Sequence, residues 1–562
     1  NNTAAGYAAL GDTTTGGSNS AFGYYALKAN TTGVQNVALG YATLDTATTA
    51  NNNVAVGFEV MKSTTTGSFN TAVGLVALYT NTTGGENTAY GYRALYSSTT
   101  ASYNVVVGSG AGDNITTGQY NVVVGESAFD AATTAQYCTA VGRQALTSQN
   151  STGQNDAFGN RAGYGISSGS SNTVIGNHSG YNITTGDNNT CLGRYTAGDS
   201  AGSGTNMTGD SNVLIGTNAG TQLTTASYNT AVGTYAVATN TTGNGNTGIG
   251  YDALNDNTTG QYNCALGQNS LGANTTSNFN TALGYASMHT NTTGTENTGV
   301  GAYALGLTTT GRDNTAVGYY ALYDNSTGSG NVAVGWKALE DSTTAANNTA
   351  VGNMAGADIT TGENNVCIGH RAGYYTYNLT DGTRNILLGA YSRTSSAGGY
   401  DQVVLGYSAQ GSTHETLTFG NGGNDTTCSY GSTSWSNPSD VRLKEEIATS
   451  TAGLSFLNDL RPVTFKWKKE KDIPAELNAY KEGSEARYKT DATEHGFIAQ
   501  EVKAAIDAHS EIADGFDMWK EDDSDGRQRI GSTALIPVLV KAIQELSAEN
   551  TALKARLDAA GI

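Results

Sequence analysis

The apolar and polar positions of this chain follow a 17-residue repeat over roughly the first four hundred residues. In each unit an Asn is followed four residues later by a Gly, apolar residues lie between and after them, and Asn-Thr-Thr-Gly often closes the unit. Cys138 and Gln402 replace the Asn in two copies. The 24 repeats begin at residues 2, 19, 36, 53, 70, 87, 104, 121, 138, 155, 172, 189, 212, 229, 246, 263, 280, 297, 314, 331, 348, 365, 385 and 402. A period this strict predicts a solenoid of stacked coils.

Numbered from its Asn, the repeat predicts two short strands, at positions 2–4 and 6–9, separated by turns. The Gly at position 5 of every copy predicts a bend where no side chain fits. We expect the larger apolar residues at positions 4 and 9 to fill the inside of the coil. The small residue at position 3 then points away, so both strand faces are apolar, and another copy of the same chain is expected to cover it. The pattern therefore predicts a mainly β, homo-oligomeric solenoid of about 115 Å, at about 4.8 Å per coil.

Composition and charge exclude several classes of function. The formal net charge is −19, whereas nucleic-acid binding needs clustered Lys and Arg, so no nucleic-acid partner is expected. No run of about 18 apolar residues occurs, so no membrane insertion is expected. Cys and His show no metal-ligand spacing, so we expect neither metal nor cofactor. The chain begins inside a repeat and without Met, which indicates a piece of a longer protein.

The repeat offers three candidate binding surfaces. Tyr or Trp often occupies position 6, and such a row can stack on sugar rings. We favour ring stacking between coils instead, because a regular solenoid surface offers little concavity for a ligand. The longer segments 199–210 and 374–383 interrupt the period and are better candidates for binding. Thr pairs at positions 13 and 14 resemble the rows of ice-binding solenoids, although turn chemistry explains them as well.

The stretch NPSDVRLKEEI at residues 437–447 marks a change in the chain. All four prolines lie after residue 437, and Lys and Arg become frequent there. We therefore divide the chain into a repeat shaft at 1–410, a neck at 411–438 and a C-terminal domain at 439–562. A final helix is expected at about 532–560, where apolar residues alternate by three and four as in a coiled coil. The seam of this coiled coil consists of Leu539, Ile543, Leu546, Asn550, Leu553 and Leu557.

Four motifs in the C-terminal domain carry a family resemblance. They are SDVRLKEEI (439–447), LNDLRPVTFKW (457–467), HGFIAQEV (495–502) and ALIPVLVKAIQEL (534–546). In this order they resemble the C-terminal intramolecular chaperone of endosialidases and of other phage tail spikes and fibres. The repeats resemble the heads of trimeric autotransporter adhesins and, more closely, the repeat shafts of phage tail fibres. The resemblance implies that three chaperone domains bring three chains together, set their register and let the β shaft fold.

The resemblance further implies that the domain cuts itself off between Ser439 and Asp440, with Ser439 and Lys444 as the catalytic dyad. A serine hydroxyl attacks only after a base takes its proton, and lysine is a base only if burial lowers its pKa. Attack by Ser439 on its own carbonyl needs a four-membered ring, so a neighbouring subunit, an activated water or help from Asp440 remain open. From the residues alone, Ser439 and Asp440 are typical of a helix cap before Val441, with Lys444 in solvent.

Together these observations predict a homotrimeric β-solenoid shaft followed by a small α+β chaperone domain that ends in a trimeric coiled coil. The expected function is a structural, receptor-binding phage tail fibre on the virion tail, with a host-surface glycan or protein as its receptor. Its only expected enzymatic activity is one autoproteolytic turnover in the chaperone domain, with none in the shaft. The alternatives are a bacterial surface adhesin with the same chaperone and an ice-binding solenoid.

Overall fold

The chain forms two compact units, Asn1–Pro438 and Ser439–Ile562, which we call the shaft unit and the C-terminal unit. The two longer segments predicted to bind fall partly outside the described residues, at 199–205 and 375–377. The computed structural model describes residues 1–198, 206–374, 378–432, 435–436, 439–512, 516–521 and 526–562.

The shaft unit is built around one sheet to which each coil contributes a single strand. Successive strands β1 to β25 pair in parallel and in register, as Ala21 does with Ala38, and β26 returns antiparallel to β25. The strands are β1 (Thr3–Ala5), β2 (Ser20–Phe22), β3 (Val37–Leu39), β4 (Val54–Val56), β5 (Thr71–Val73), β6 (Thr88–Tyr90), β7 (Val105–Val107), β8 (Val122–Val124), β9 (Thr139–Val141), β10 (Asp156–Phe158), β11 (Thr173–Ile175), β12 (Thr190–Leu192), β13 (Val213–Ile215), β14 (Thr230–Val232), β15 (Thr247–Ile249), β16 (Cys264–Leu266), β17 (Thr281–Leu283), β18 (Thr298–Val300), β19 (Thr315–Val317), β20 (Val332–Val334), β21 (Thr349–Val351), β22 (Val366–Ile368), β23 (Ile386–Leu388), β24 (Gln402–Leu405), β25 (Thr416–Phe419) and β26 (Thr426–Ser429). The predicted mainly β solenoid of 24 coils is confirmed, with β1 to β24 each lying in one repeat.

The second predicted strand, at positions 6–9, is wrong. In the second coil Tyr25 and Leu27, at positions 7 and 9, have left-handed backbones with φ of 59° and 53°. The Tyr25 N–H donates to the Tyr7 carbonyl and the Leu27 N–H to the Thr43 carbonyl, each at 3.0 Å. Alternate residues in the left-handed region turn the chain around a corner, while their N–H groups still bond to neighbouring coils. This alternation has the period of a strand, which is why the sequence pattern resembles one.

The inward and outward faces of the remaining strand are the reverse of our expectation. Ala21 and Ala38, at position 3, have no exposed surface, whereas Phe22 and Leu39, at position 4, are 41% and 48% exposed. Position 3 is buried in every coil from the second onward, and position 4 is buried in none. Every coil with Leu at position 9 has Ala or Gly at position 3, because the larger residue leaves room for a small one only. The alanines therefore need no partner chain, and the uncovered apolar row is that of position 4, on the same outward face as position 2.

Side chains at positions 3, 9 and 12 share one core inside the coil. In six coils Gly replaces the usual Leu at position 9, and five of these coils have Ile or Leu at position 12. A Cβ on one of these glycines, Gly112, would lie 2.9 Å from Cδ1 of Ile115 and 3.5 Å from Cγ1 of Val106. The replacement residues are fully buried, as Ile166 and Ile183 show. The coils thus keep a constant core volume, as close packing requires.

A ladder of buried amides runs along position 1 of the coils. The Asn36 N–H donates to Oδ1 of Asn19 at 2.9 Å, and Nδ2 of Asn36 donates to the Ala50 carbonyl at 2.7 Å. The next rung repeats the pattern, since the Asn53 N–H donates to Oδ1 of Asn36 at 3.0 Å. Buried polar groups are tolerated when they are bonded, so the ladder explains why Asn occupies this position.

The C-terminal unit packs three helices around a small core. Phe456, Val502, Ile506, Leu535 and Val538 form this core. The helices are α1 (Leu454–Asp459), α2 (Ala499–Ala508) and α3 (Leu535–Ala560), with 3₁₀ turns at Val441–Leu443, Glu470–Asp472 and Ser532–Ala534. Two antiparallel strand pairs complete the unit, β27 (Val463–Phe465) with β28 (Glu494–Gly496), and β29 (Trp519–Glu521) with β30 (Gln528–Ile530).

The helix α3 confirms the predicted C-terminal helix. Its first turns contribute Leu535, Val538 and Ala542 to the core. The predicted seam lies on exposed surface, with Ile543 and Leu553 at 64% and 52% exposure. An apolar seam of this spacing outside the core is typical of a helix that pairs with other helices. Among the described residues, no helix combines the length and the apolar character needed to cross a bilayer.

Candidate functional site

A single 3₁₀ turn, at Val441–Leu443, positions the predicted site residues. Asp440 caps this turn, because its side chain accepts the backbone N–H of Arg442 at 2.8 Å. Short side chains with an oxygen are favoured here, since they satisfy an N–H of the first turn. Lys444 follows with an extended backbone, and its N–H donates to the Val441 carbonyl at 3.1 Å. The chain therefore folds back on itself between Ser439 and Lys444.

This fold brings the two predicted dyad side chains into contact. Nζ of Lys444 donates to Oγ of Ser439 at 2.6 Å, and both side chains are exposed. A protonated lysine orients the hydroxyl, but only the neutral amine can accept its proton. The contact between the two predicted dyad side chains is thus present within one chain.

Asp440 is engaged by its neighbour Arg442. Nε of Arg442 donates to Oδ1 of Asp440 at 3.0 Å, in addition to the backbone bond of the cap. These bonds hold the pKa of Asp440 below its usual value. The carboxylate that was left open as a helper in cleavage is therefore ionised and serves as a cap and an ion-pair partner. Arg442 was missed, although two opposite charges flanking Val441 were its signal.

Three apolar side chains beside the site are exposed to solvent. Val441, Leu443 and Ile447 are 67%, 71% and 67% exposed. Every residue from 441 to 451 is exposed, and burial begins at Ala452. A contiguous exposed apolar surface marks a site of interaction. The alternation of apolar and charged residues in VRLKEEI was the available signal for it.

Comparison with known proteins identifies this segment. The family model described as chaperone of endosialidase matches residues 439–511, starting at Ser439 itself. The C-terminal unit carries a chaperone-of-endosialidase domain. The match spans the site turn, α1, β27, β28 and α2 of this chaperone domain. Neither the curated proteins nor the solved structures that were compared gave a match to the chain.

A second polar cluster in the chaperone domain joins α1 to the end of α2. Nε2 of His509 lies 2.8 Å from Oδ2 of Asp459, and its Nδ1 lies 3.0 Å from Oε1 of Glu511. The hydrogen bonds to Asp459 and then Glu511 raise the pKa of His509. The ring also packs edge-on against Phe456 in the core. These contacts give His509 a structural role, which the sequence motifs did not indicate.

The Tyr and Thr side chains that repeat along the shaft make contacts between neighbouring coils. The rings of Tyr7, Tyr24, Tyr41 and Phe58 stack in succession at 5.1, 5.3 and 5.0 Å, which confirms the expected ring stacking. Thr31, at position 13, donates its hydroxyl to the carbonyl of the next coil at 3.0 Å. Hydroxyls engaged in this way serve the turn, which speaks against an ice-binding row.

Proposed function

We propose that three copies of this chain assemble into a phage tail fibre that binds a host cell surface through a glycan or a protein receptor. The chaperone domain brings the chains together, sets the register of their shafts and is then cleaved off between Ser439 and Asp440. The mature shaft is then part of the virion tail. The chaperone match directly after a 24-coil solenoid supports this proposal.

The single observation that carries the proposed assembly is the outward apolar row of the shaft. Position 4 holds Val, Leu, Ile, Phe, Tyr or Ala in every coil, and none of these residues is buried. Leu192, Leu266 and Ile368 are 43%, 41% and 41% exposed. Soluble chains rarely leave a contiguous apolar surface of this extent in water. Three copies that pack their position-2 and position-4 faces together would bury it.

Cys264 offers a direct test of this face. It lies at position 2 and is exposed, whereas the other four cysteines are buried. A three-armed maleimide linker should join the chains of the purified protein into a covalent trimer, seen by electrophoresis under denaturing conditions. The Cys264→Ser variant should give no product. As a matched control, Cys264→Ser with Thr259→Cys moves the thiol to an exposed turn of the neighbouring coil and should also give none.

Two results would overturn the assembly. A solution mass of one chain by light scattering removes the trimer itself. If the protein has the mass of three chains, but the linker reacts with Cys264 without joining the chains, the chains do not pack through the position-2 and position-4 face.

Assembly would also complete the cleavage site. A neighbouring copy that covers Val441, Leu443 and Ile447 excludes water from Lys444, and loss of water disfavours its charged form. The neutral amine then takes the proton of the Ser439 hydroxyl or of a water molecule. The net reaction is hydrolysis of the peptide bond between Ser439 and Asp440. Cleavage is therefore expected to follow assembly.

Intact-mass measurement of the expressed protein tests this chemistry. We expect two fragments, 1–439 and 440–562, from the unmodified chain. Ser439→Ala and Lys444→Arg should both leave the chain whole, because arginine keeps the positive charge but cannot act as a base. Arg442→Gln is the matched control, since Arg442 binds Asp440 and accepts no proton, and it should still be cleaved. Fully assembled trimers of uncut chains would contradict the proposed cleavage.

A further inference from the structure

The arginines of the shaft unit differ in whether a carboxylate neutralises them. Five ion pairs occur among its described residues, and they include Arg93 with Asp113, Arg143 with Glu126 and Arg384 with Asp401. Within the same described part of the shaft, Arg161 and Arg194 form no ion pair with a carboxylate. The chain has a net charge of −19, and these two cations lie two coils apart.

Both arginines belong to one patch on three consecutive coils. Arg161 lies at position 7 of the first coil and Arg194 at position 6 of the third, and His and Tyr side chains occupy most of the other places at positions 7 and 10 of these coils. Equivalent positions of stacked coils lie above one another, so these residues share one face. The cationic patch consists of Arg161, Tyr164, His178, Tyr181, Arg194 and Tyr195.

The rings of the cationic patch form a continuous aromatic surface. Tyr164 and Tyr181 stack with ring centres 5.0 Å apart, and the next coil has Gly198 at this position, so the row ends at Tyr181. The His178 ring lies 5.4 Å from the rings of both Tyr181 and Tyr195. These rings give the patch apolar faces and polar edges, the combination that aromatic side chains bring to binding surfaces.

A guanidinium group lies at each end of this aromatic surface. Cζ of Arg161 lies 5.7 Å from the Tyr164 ring centre, and Cζ of Arg194 lies 4.4 Å from that of Tyr195. Burial, followed by the charges of Arg161 and Arg194, lowers the pKa of His178. Both positive charges thus act on the same side chain. Guanidinium groups bind carboxylates and phosphates through paired hydrogen bonds.

We propose that the cationic patch binds an anionic saccharide, whose acidic groups contact Arg161 and Arg194 while its rings pack on the tyrosines. The inference rests on the proposed adhesive role of the shaft and names the ligand class. The two arginines lie two coils apart, about 10 Å along the stack, so a ligand with several acidic groups reaches both. Asn177, whose Oδ1 lies 2.7 Å from Nδ1 of His178, adds an amide for sugar hydroxyls. A nucleic acid fits less well, because it needs many clustered cations in place of two.

Calorimetric titration of the purified full-length protein tests the inference with defined probes. Hexagalacturonate, a hexamer with one carboxylate per sugar, should bind. Maltohexaose has the sugar rings but no charge, and inorganic phosphate has the charge but no rings. Neither control ligand should bind measurably. Loss of one charged hydrogen-bonding partner weakens binding by about tenfold or more, so the double variant Arg161→Gln with Arg194→Gln should lose hexagalacturonate binding. Arg143→Gln, an arginine paired with Glu126 one coil away, should keep it.

Several outcomes overturn the inference. If the double variant binds hexagalacturonate as tightly as the unmodified protein does, the two arginines are not part of the site. If maltohexaose binds as tightly as hexagalacturonate, the site does not need a charged ligand. Binding of a single-stranded oligonucleotide that is lost in the double variant, without hexagalacturonate binding, assigns the patch to nucleic acid. Unchanged thermal melting of the double variant shows that it is folded.

Adhesion to host cells, measured separately, distinguishes this inference from the proposed function. If the protein does not adhere but binds hexagalacturonate through both arginines, the patch stands and the adhesive role falls. If it adheres without binding hexagalacturonate, the adhesive role stands and the patch falls.

Discussion

At Cys138 the amide ladder of the shaft loses one rung. The Cys138 N–H still donates to Oδ1 of Asn121 at 3.0 Å, and its Sγ donates to the Gly153 carbonyl at 2.7 Å. Cysteine has no side-chain oxygen to accept from the next amide of the ladder, Asn155. Nδ2 of Asn155 bonds to Oε1 of Gln149 at 2.8 Å instead. The coil of Cys138 therefore lacks the two bonds that Oδ1 of an intact rung accepts, as Asn36 accepts from the N–H and Nδ2 of Asn53.

Restoring the rung should stabilise the shaft. We expect Cys138→Asn to raise the free energy of unfolding by about 1 kcal/mol per chain, since buried hydrogen bonds contribute about this much. Thermal and denaturant unfolding followed by circular dichroism measures the change. The reverse exchange at an intact rung, Asn229→Cys, should lower the melting temperature. A Cys138→Asn variant that melts below the unmodified protein would show that the larger amide does not fit.

Individual residues show which features of the fold the sequence could predict. The Gly at position 5 was predictable, because Gly23 has a φ of +138° and any Cβ on it would collide with the Gly40 carbonyl. The direction of position 3 was not predictable from size alone, because a strand that is apolar on both faces shows no polar side. The sequence signal for the inward direction of position 3 lies at other positions of the coil. Gly112 at position 9 accompanies Val106 at position 3 and Ile115 at position 12, as residues that share one core would.

At the scale of elements, local contacts were easier to predict than exposure. The contact between Ser439 and Lys444 depends on one turn within six residues, so the motif alone could indicate it. The exposure of Val441 and Leu443 depends on what the rest of the unit leaves uncovered, which no local pattern encodes. The corner at positions 6–9 resembles a strand in the sequence because left-handed residues such as Tyr25 and Leu27 occur at every second position, which is also the period of strand side chains.

One row of the shaft places like charges on consecutive coils. Asp324, Asp341 and Asp358 all lie at position 11, and Glu340 precedes the second of them. Oδ2 of Asp358 is buried and has no hydrogen-bond partner among the described residues. Burial, followed by the charge of Asp341, raises the pKa of Asp358 to about 6. In-register stacking causes this, since it repeats the position in every coil.

This row should make the shaft less stable at alkaline pH. The unfolded chain has an Asp pKa of about 3.9, below the value in the fold, so the stabilisation by the protonated form is complete below about pH 4. It is lost as the pH rises through about 6. Asp358→Asn should therefore melt near the unmodified protein at pH 4 and above it at pH 8, in thermal melts over this range.

Asp401 serves as the control for the acidic row, because its effect on stability changes with pH in the opposite direction. Arg384 donates from Nε to Oδ1 of Asp401 at 2.7 Å and lowers the pKa of Asp401. Ionised Asp401 therefore stabilises the fold above its unfolded pKa, and this stabilisation is lost as the pH falls. Asp401→Asn should accordingly melt lower than the unmodified protein at pH 8. If Asp358→Asn kept the full pH dependence, the acidic row would not be its source.

At the scale of the whole molecule, the shaft has a register problem. Each of its 24 coils presents a similar face, so two copies displaced by one coil would lose little contact per coil. The proposed trimer then needs a separate element that aligns the chains before their shafts pack. The exposed seam of α3, with Ile543 at 64% and Leu546 at 43%, has the spacing for this role. Joining the chains at one end also makes the remaining assembly a local search at high effective concentration.

A charge placed in this seam should therefore disrupt the alignment of the shafts, although the substitution lies outside the shaft unit. We expect Ile543→Asp to reduce the yield of three-chain particles in light scattering and to leave displaced or aggregated shafts. Ala548→Asp adds the same charge to an exposed position of the same helix outside the seam, so it should assemble normally. In the proposed cleavage a neighbouring copy covers the site, so Ile543→Asp should also leave the chain uncut, while Ala548→Asp is cleaved. Normal trimers of Ile543→Asp would move the alignment of the chains to the shaft itself, where the repeated faces offer no reason for one register over another.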